Sequence, residues 1–220
     1  MKNKIFLAVL IVAGISLVYY LQNQPKEEVL PVINPTDVLP EMVDASVLME
    51  RKGYGHIIGD FTFINQNNDL ISEKEIEDKV FVAEYFFTTC TSICPIMNEE
   101  MQRVYAKYKS QDDFRILSFT VDPEVDSVEV MNAYAEEHGA GSKWHFLTGN
   151  KESLYKLARK SFFVLKPAEV ENIGDAGSDF IHTNNFVLVD KQRRIRGYYD
   201  GTSPSSVDSL MIDIGKLLKE

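Results

Sequence analysis

The sequence predicts an α/β fold, a layered sandwich around a mixed central sheet. Two apolar segments rich in β-branched and aromatic residues, 80–87 and 114–121, predict buried strands, and each is followed by residues with helical periodicity. Two further strands, 186–189 and 195–199, are joined by a short turn and predict an antiparallel hairpin at the end of the sheet. Strands that alternate with helices in this way are typical of α/β sandwiches.

Shorter elements complete the predicted domain, which covers residues 55–220. A strand at 61–64 is followed by a turn rich in asparagine and by a return strand at 70–71. Residues 144–147 predict a short strand, and a long loop is expected at 166–183. The predicted helices cover residues 95–109, 127–138, 150–160 and 206–218.

The first residues predict a membrane anchor. Residues 1–4 are a short basic start that contains Lys2 and Lys4, and residues 5–21 carry no charge. A helix over residues 5–21 would be about 26 Å long, close to the roughly 30 Å hydrocarbon core of a bilayer. Because lysines flanking a membrane span stay in the cytoplasm, we expect a single-pass protein of the cytoplasmic (inner) membrane, with its C-terminal domain facing the periplasm or the cell exterior.

A cleaved signal peptide is the alternative for the same residues. It would require small residues before a cleavage site, and residues 19–22 read YYLQ, which match that pattern poorly. Residues 22–54 contain Pro25, Pro31, Pro35 and Pro40, a density of proline that disfavours helix and central strand. We therefore expect a proline-rich linker between the anchor and the domain.

Composition excludes few functions. The formal net charge is −10, with 23 basic and 33 acidic residues, which argues against a nucleic-acid-binding protein because such proteins present a basic face. Hydrophobic and charged contents of 45% and 25% are ordinary for a globular protein.

The two cysteines of the chain, Cys90 and Cys94, lie four positions apart between a predicted buried strand and a predicted helix. The carboxyl ends of strands in α/β sheets are where ligands collect. A helix start stabilises a thiolate and lowers the pKa of its thiol. If the segment is helical, both side chains lie on one face, close enough for a disulfide or for one metal ion.

Four interpretations of the cysteine pair remain open from the residues alone. A structural disulfide would close so small a loop that it would stabilise the fold little. Two inert buried cysteines are disfavoured by the neighbouring threonines and serine. A redox dithiol is possible, although the spacing is one residue longer than in C-x-x-C proteins. A metal site is the fourth, since two thiolates favour Cu(I) or zinc and a further ligand would come from elsewhere, most plausibly a histidine.

Position alone does not select that histidine. His56 lies at the junction of linker and domain, and His145 lies beside Trp144 in a predicted strand. His138 precedes a glycine at a predicted helix end, where a protonated imidazole would stabilise the last carbonyls. His182 lies in the loop that enters the third long strand.

Five stretches in order resemble the Sco (SenC) family of copper proteins, membrane-anchored factors for cytochrome c oxidase assembly. They are FFTTCTSICP, SFTVDPEVDS, WHFLTG, the histidine followed by threonine and FVLVD, and GYYDG. The resemblance covers residues 55–220 and the N-terminal anchor. It implies a thioredoxin-like fold for this domain.

The resemblance also implies a site and a function. One copper ion, Cu(I) or Cu(II), is expected to be bound by Cys90, Cys94 and His182, and the two cysteines are expected to form a disulfide when oxidised. The implied function is that of a metallochaperone that delivers copper to the copper-accepting subunit of a respiratory oxidase. Another copper chaperone or a thiol reductant is a further expected partner. The alternative is an enzyme: a thiol–disulfide oxidoreductase acting on the cysteines of the oxidase copper site, or a thiol peroxidase.

One position departs from the family pattern. Many relatives have an aspartate directly before the histidine, and this chain has Ile181. A carboxylate often orients a metal-binding imidazole, and Asp179 or Asp122 is a candidate for that role here.

Overall fold

The computed structural model describes residues 13–20, 29–43, 47, 55–164 and 183–220. It divides into two units, one ending at Leu30 and one comprising Pro31–Glu220. In the first unit residues 13–20 are helical, and the remainder of the predicted anchor lies outside the described residues. None of the helices in the described part of the chain has the length and apolar character that crossing a membrane requires.

The second unit begins within the segment predicted as linker. Short 3₁₀ turns form at Pro35–Asp37 and Pro40–Met42. The backbone N–H of Ile33 donates to the carbonyl of Ile195 at 2.8 Å, and Val43 is buried in the same core cluster as the domain. The described part of the linker from Pro31 onward is therefore packed on the domain.

The strands in the described part of this unit are β1 Thr62–Asn65, β2 Leu70–Ser72, β3 Val80–Phe86, β4 Phe114–Thr120, β5 Trp144–Thr148, β6 Asn185–Val189 and β7 Ile195–Asp200. These strands form one sheet in the order β2-β1-β5-β4-β3-β6-β7. The α-helices are α1 Cys94–Tyr108, α2 Val128–Glu137, α3 Lys151–Leu157 and α4 Pro204–Leu217. A further 3₁₀ turn forms at Glu73–Ile76, and a π-helical turn forms at Ala158–Phe162.

The sheet is mixed, as predicted. Strands β3, β4 and β5 are parallel, whereas β6 and β7 on one side and β1 and β2 on the other are antiparallel. Every residue of β3 is buried, because the central parallel strands are covered on both faces. The prediction of a strand buried on both faces is confirmed, and so is the closing hairpin β6–β7.

Helices α1, α2 and α4 lie together on one face of the sheet. Asn98 of α1 bonds Tyr134 of α2, Arg103 of α1 pairs with Asp208 of α4, and the Tyr134 ring stacks on Phe86 of β3 at 5.5 Å. The opposite face packs against α3 and the π-helical turn, in a core that contains Phe119, Tyr85 and Phe162 among others. These two layers are the sandwich expected for an α/β domain.

Several element boundaries differ from the predictions for identifiable reasons. Helix α1 begins at Cys94, so that Pro95 occupies its second position. Helix α4 begins at Pro204, two residues before the predicted start, because proline is accommodated in a first turn. Helix α3 ends at Leu157, and the chain continues as a π turn that terminates at Phe163 in a left-handed conformation, with φ of 54°.

Candidate metal centre

The cysteine segment joins the end of β3 to the start of α1. After Phe86 the chain turns, and the backbone N–H of Cys90 donates to the carbonyl of Phe87 at 3.2 Å. Helix α1 then begins at Cys94, and its first turn closes where Met97 N–H donates to the Ile93 carbonyl at 3.0 Å. The predicted loop and helix start are both observed. The carboxyl edge of β3 thus presents both cysteines.

Both cysteines are free thiols and both are buried, although the loop around them is not. Cys90 is 8% exposed and Cys94 is 4% exposed. Thr89, Thr91 and Ser92 are exposed, as the sequence predicts for this loop. The thiols therefore lie just beneath a thin, polar cover.

The two thiols interact with each other and carry very different acidities. Burial acts to raise the pKa of Cys90, but hydrogen bonds from the Cys94 thiol and from the backbone of Cys94 and Ser92 outweigh it and lower the pKa to about 7. Burial raises the pKa of Cys94, and the hydrogen bond to Cys90 raises it further. The pair thus shares one proton, held by Cys94, while Cys90 becomes the thiolate. The Ser92 hydroxyl lies 3.6 Å from the Cys90 sulfur.

A buried carboxyl group lies within electrostatic reach of this pair. Glu84 of β3 is 1% exposed, and its Oε1 accepts a hydrogen bond from the Ser118 hydroxyl at 2.6 Å. Trp144 Nε1–H in turn donates to that hydroxyl at 2.9 Å. Burial raises the pKa of Glu84 to about 7 against the opposing effect of Ser118. Charge on Glu84 contributes to the raised pKa of Cys94.

The loop that follows β4 meets the cysteine loop at the same edge. Asp122 of that loop is half-buried, and burial, then the neighbouring Asp126, raise its pKa. Its carbonyl oxygen accepts from Val125 N–H and Asp126 N–H at 3.0 and 2.9 Å. The turn at Asp122 is therefore closed by its backbone carbonyl rather than by its carboxylate.

Sequence reasoning missed Asp126 and Glu84. Asp126 has no exposed surface, and its Oδ1 accepts from the backbone N–H of Thr88 at 3.2 Å and from the Thr88 hydroxyl at 2.5 Å. Glu84 carried a usable signal, since it is the one charged residue in an otherwise apolar strand. Asp126 carried little, because it is one acid among several in a loop.

Three of the four histidines, His56, His138 and His145, are described, and each has packing or hydrogen-bond contacts that account for its place in the fold. His56 is 2% exposed, its Nε2 lies 2.8 Å from the Ser161 carbonyl, and its ring packs on Phe163 at 4.5 Å. His145 lies within β5, as expected for part of the packed sheet, and its Nε2 is 3.9 Å from Glu75.

The capping role predicted for His138 is not what the structure shows. Its ring nitrogens lie 3.4 Å from the side-chain nitrogens of Asn98 and Gln102 on α1, and its ring meets Tyr134 edge-on at 4.4 Å. Burial lowers the pKa of His138, which disfavours the protonated imidazole that capping requires. Its backbone N–H, not its ring, closes the end of α2 by donating to the carbonyl of Tyr134.

His182 and Asp179 lie outside the described residues. Within the described part of the chain, no three histidine, cysteine or acidic side chains group in a way that could hold a metal ion. Thr183, which follows His182 in the sequence, is described, and the pairing of β6 with β3 shows at which end of the sheet it lies. Val187 of β6 pairs with Ala83 of β3 in antiparallel register, so β6 begins at the end of the sheet where β3 leads into the cysteine loop, and Thr183 lies two residues before that start.

Fold and thiols together define a thioredoxin-like protein with a proton-sharing dithiol at the carboxyl edge of its central strand. The sequence matches the family model described as SCO1/SenC over residues 49–219. It is 32% identical over 159 residues to the SCO1 protein homolog of Bacillus subtilis (strain 168), over 70% of this chain and 79% of that protein. The chain belongs to the SCO1/SenC family.

Two solved structures show the same architecture. One is BsSco, a member of the Sco family of cytochrome c oxidase assembly proteins in which a disulfide switch was identified; it has a TM-score of 0.63 and 29% identity over 74% of this chain and 94% of that chain. The other is Arabidopsis thaliana ScoI with copper bound, with a TM-score of 0.57 and 25% identity over 74% of this chain and 98% of that chain. The thioredoxin-like mixed-sheet fold predicted from the resemblance is confirmed.

The unequal acidity of the thiols predicts selective alkylation. In reduced, metal-free protein, iodoacetamide is expected to modify Cys90 well before Cys94, because only the thiolate reacts. The rate at Cys90 should rise as pH increases through about 7, where its thiol ionises, and fall away below that pH. Mass spectrometry of the cysteine peptide after timed quenching measures both rates.

Cys94→Ala is the matched control for this measurement. It removes the hydrogen bond that favours the Cys90 thiolate, so burial acts with less opposition and the midpoint should move to higher pH. Equal modification of both cysteines in the wild type would contradict the assignment of the proton to Cys94.

Proposed function

We propose that this protein is a copper metallochaperone, which binds one copper ion through Cys90, Cys94 and His182 and delivers it to the copper site of a respiratory oxidase. The observation that carries the proposal is the pair of free, hydrogen-bonded thiols at the carboxyl edge of β3. Copper is the cargo here, and the two cysteines are the donors that the described residues supply.

The donor chemistry suits copper. Thiolates are soft ligands that favour Cu(I), and a ligand must lose its proton before it binds. Cys90, with its pKa lowered to about 7, is ready to ionise at neutral pH. An arriving cation then displaces the remaining proton of Cys94 into solvent, in competition with the raised pKa that burial, the hydrogen bond to Cys90 and neighbouring negative charge give this thiol.

The register of β6 supports the choice of His182 as third ligand. Thr183 is buried at the edge that carries the cysteine loop, and its hydroxyl accepts from both the backbone and the side chain of Asn185. His182 directly precedes Thr183 in the sequence. His56, His138 and His145 have structural surroundings of their own.

Three protein ligands also suit delivery. A fourth protein ligand would close the coordination shell, as in structural zinc sites, whereas three leave the metal open to an incoming donor. Ligands of the acceptor can then replace His182, Cys90 and Cys94 one at a time, without release of free copper. The family's connection with cytochrome c oxidase assembly makes a copper-accepting oxidase subunit the proposed acceptor, and another copper chaperone the proposed donor.

A thiol–disulfide oxidoreductase is the second candidate, and the proton-sharing dithiol favours it independently. A thiol with its pKa lowered to about 7 beside one that retains its proton resembles the attacking and resolving pair of disulfide exchange. The disulfide switch identified in BsSco points in the same direction. The two roles are compatible, since copper binds the reduced pair and exchange oxidises it.

Copper titration tests the first proposal. Reduced protein titrated with Cu(I) against a chromophoric chelator should bind one equivalent, and Cys90→Ser or Cys94→Ser should abolish tight binding. His182→Ala should weaken binding by at least about 10-fold, since it removes one of three ligands. His138→Ala, which alters a histidine already packed on α1, should bind copper like the wild type; binding unaffected by His182→Ala would overturn the ligand set.

Oxidase assembly in cells separates the two candidates. If copper delivery is the function, His182→Ala and Cys90→Ser should both lower the copper content and activity of the oxidase. Disulfide exchange needs the two cysteines and not the imidazole. Full oxidase activity with His182→Ala, together with its loss in Cys90→Ser, would favour the oxidoreductase.

We further propose that residues 5–21 anchor the protein in the cytoplasmic membrane with the domain outside. The charge-free run behind Lys2 and Lys4 supports this placement. The full chain should sediment with membranes after carbonate washing and retain its first residues, whereas a chain lacking residues 1–21 should not sediment. An N-terminus found by mass spectrometry near residue 22 would establish a cleaved signal peptide instead.

A further inference from the structure

Asp126 is a fully buried acid held by uncharged groups. It lies between β4 and α2 and has no exposed surface. Its Oδ1 accepts from the Thr88 backbone N–H at 3.2 Å and from the Thr88 hydroxyl at 2.5 Å, and its Oδ2 accepts from the Thr120 hydroxyl. The donors that the described residues supply are thus two hydroxyls and one backbone amide.

The buried carboxylate of Asp126 is stable only if all of these hydrogen bonds are formed. A buried carboxylate is costly unless its lone pairs are satisfied, and hydrogen bonds to it are shorter and stronger than those between neutral groups. Both oxygens of Asp126 act as acceptors, so the side chain cannot turn without leaving a donor unpaired. The position of Thr88 is therefore coupled firmly to that of Asp126.

The same hydrogen bonds join two loops at the edge of the sheet. Thr120 is the last residue of β4, and the Asp126 N–H donates to the Asp122 carbonyl at 2.9 Å, which fixes the carboxylate on the β4 side. Thr88 lies two residues before Cys90, in the turn closed by the Cys90 N–H and the Phe87 carbonyl. Asp126 thereby restrains the chain immediately before the first cysteine.

Cys94 is fixed in a different way. It is the first residue of α1, and its backbone belongs to a helix that packs on the sheet through Met97 and Met101, both nearly inaccessible. The separation of the two sulfurs therefore depends on two supports, the helix for Cys94 and the Asp126–Thr88 contact for Cys90.

We propose that Asp126 is a positioning residue for the metal centre: by holding Thr88 it sets the distance and direction of the Cys90 sulfur relative to Cys94. The side chain of Asp126 bonds Thr88 and Thr120 rather than either cysteine. It acts through the backbone, and it preorganises the dithiol as a chelating pair. The metal part of this inference rests on the proposed copper-binding function, and the positioning of the dithiol does not.

Asp126→Asn tests the inference with little change of shape. The amide carries no charge and its NH2 group can only donate, so the hydroxyl that faces it must reverse to accept, and the charge-assisted hydrogen bonds that hold Thr88 become weaker neutral ones. Affinity for Cu(I), measured by chelator competition, should fall about 10-fold, in the range found for residues that orient metal ligands. The sulfur-to-Cu(II) charge-transfer band of the Cu(II) form should shift or lose intensity, because it reports the Cys90 geometry.

Substitutions at Thr88 test the same contact from its other side, one by removing the hydroxyl and one by keeping it. Thr88→Val removes only the hydroxyl donor and should reproduce the Asp126→Asn effects in weaker form, while Thr88→Ser restores the donor and should behave like the wild type. The effects of Thr88→Val and Asp126→Asn should be less than additive in the double variant, since they remove the same contact.

Asp190→Asn is the matched control for a merely structural effect. Asp190 is also a buried carboxylate, 2% exposed, that accepts from backbone N–H groups, but it follows β6 at the opposite edge of the sheet. Its replacement should lower stability to urea and leave copper affinity and the charge-transfer band unchanged.

The dithiol–disulfide equilibrium in glutathione buffers supplies a readout without metal. A loosened Cys90 turn lowers the effective concentration of one thiol at the other, so Asp126→Asn should shift this equilibrium toward the dithiol by about 5-fold, the worth of one typical hydrogen bond. If the wild type binds no copper, the proposed function fails and this shift still tests the positioning. Wild-type behaviour of Asp126→Asn and Thr88→Val in the glutathione assay, or an equal shift in Asp190→Asn, would overturn it.

Discussion

The hydrogen bond between the two thiols is the interaction on which the site depends. It forms where a fully buried strand ends at Phe86 and a helix begins at Cys94, so that one short connection carries both sulfurs. Burial opposes ionisation of either thiol, so the proton that remains is held between them, and Cys90 ionises first. Both proposed functions, metal binding and disulfide exchange, would start from that state.

Buried acids at the two ends of the central strands have different hydrogen-bond partners. At the edge where β6 ends, Asp190 is paired with Arg196 at 2.9 Å and with Arg194, so its charge is compensated. At the cysteine edge, Asp126 is held by hydroxyls and an amide, and Glu84 by a hydroxyl. Among the described residues, neither acid at the cysteine edge pairs with a basic side chain, and burial raises the pKa of Glu84 to about 7. This edge therefore offers less repulsion to an incoming cation than the edge around Asp190, where Arg194 and Arg196 lie.

Copper delivery and disulfide exchange impose related demands on the same loop. Each requires a thiolate that forms near neutral pH, a second thiol within reach, and access for a partner. The exposed Thr89, Thr91 and Ser92 leave the buried sulfurs under a thin cover that a docking protein can displace. The two proposed roles differ in their need for the imidazole of His182, which the proposed copper site requires and disulfide exchange does not.

The sequence alone determined the class of fold and the identity of the reactive pair. Runs such as 80–87 and 114–121 are apolar throughout, and the periodicity after them is helical, so strands, helices and the mixed sheet follow from local pattern. Five stretches in order, among them the one that contains Cys90 and Cys94, indicated the family, and the resemblance to that family nominated His182. Each of these patterns involves residues that are close together in the sequence, so it can be recognised before the fold is known.

Only the tertiary structure decided how the pair is held and how its proton is shared. Thr88 and Asp126 are 38 positions apart, and nothing in the sequence distinguishes Asp126 from the exposed acids near it. The pKa of Cys90 depends on how far burial is outweighed by hydrogen bonds within its own loop, and the role of His138 depends on Asn98 and Gln102 of another helix. Burial, and hydrogen bonds between segments far apart in the sequence, arise only when the chain is packed.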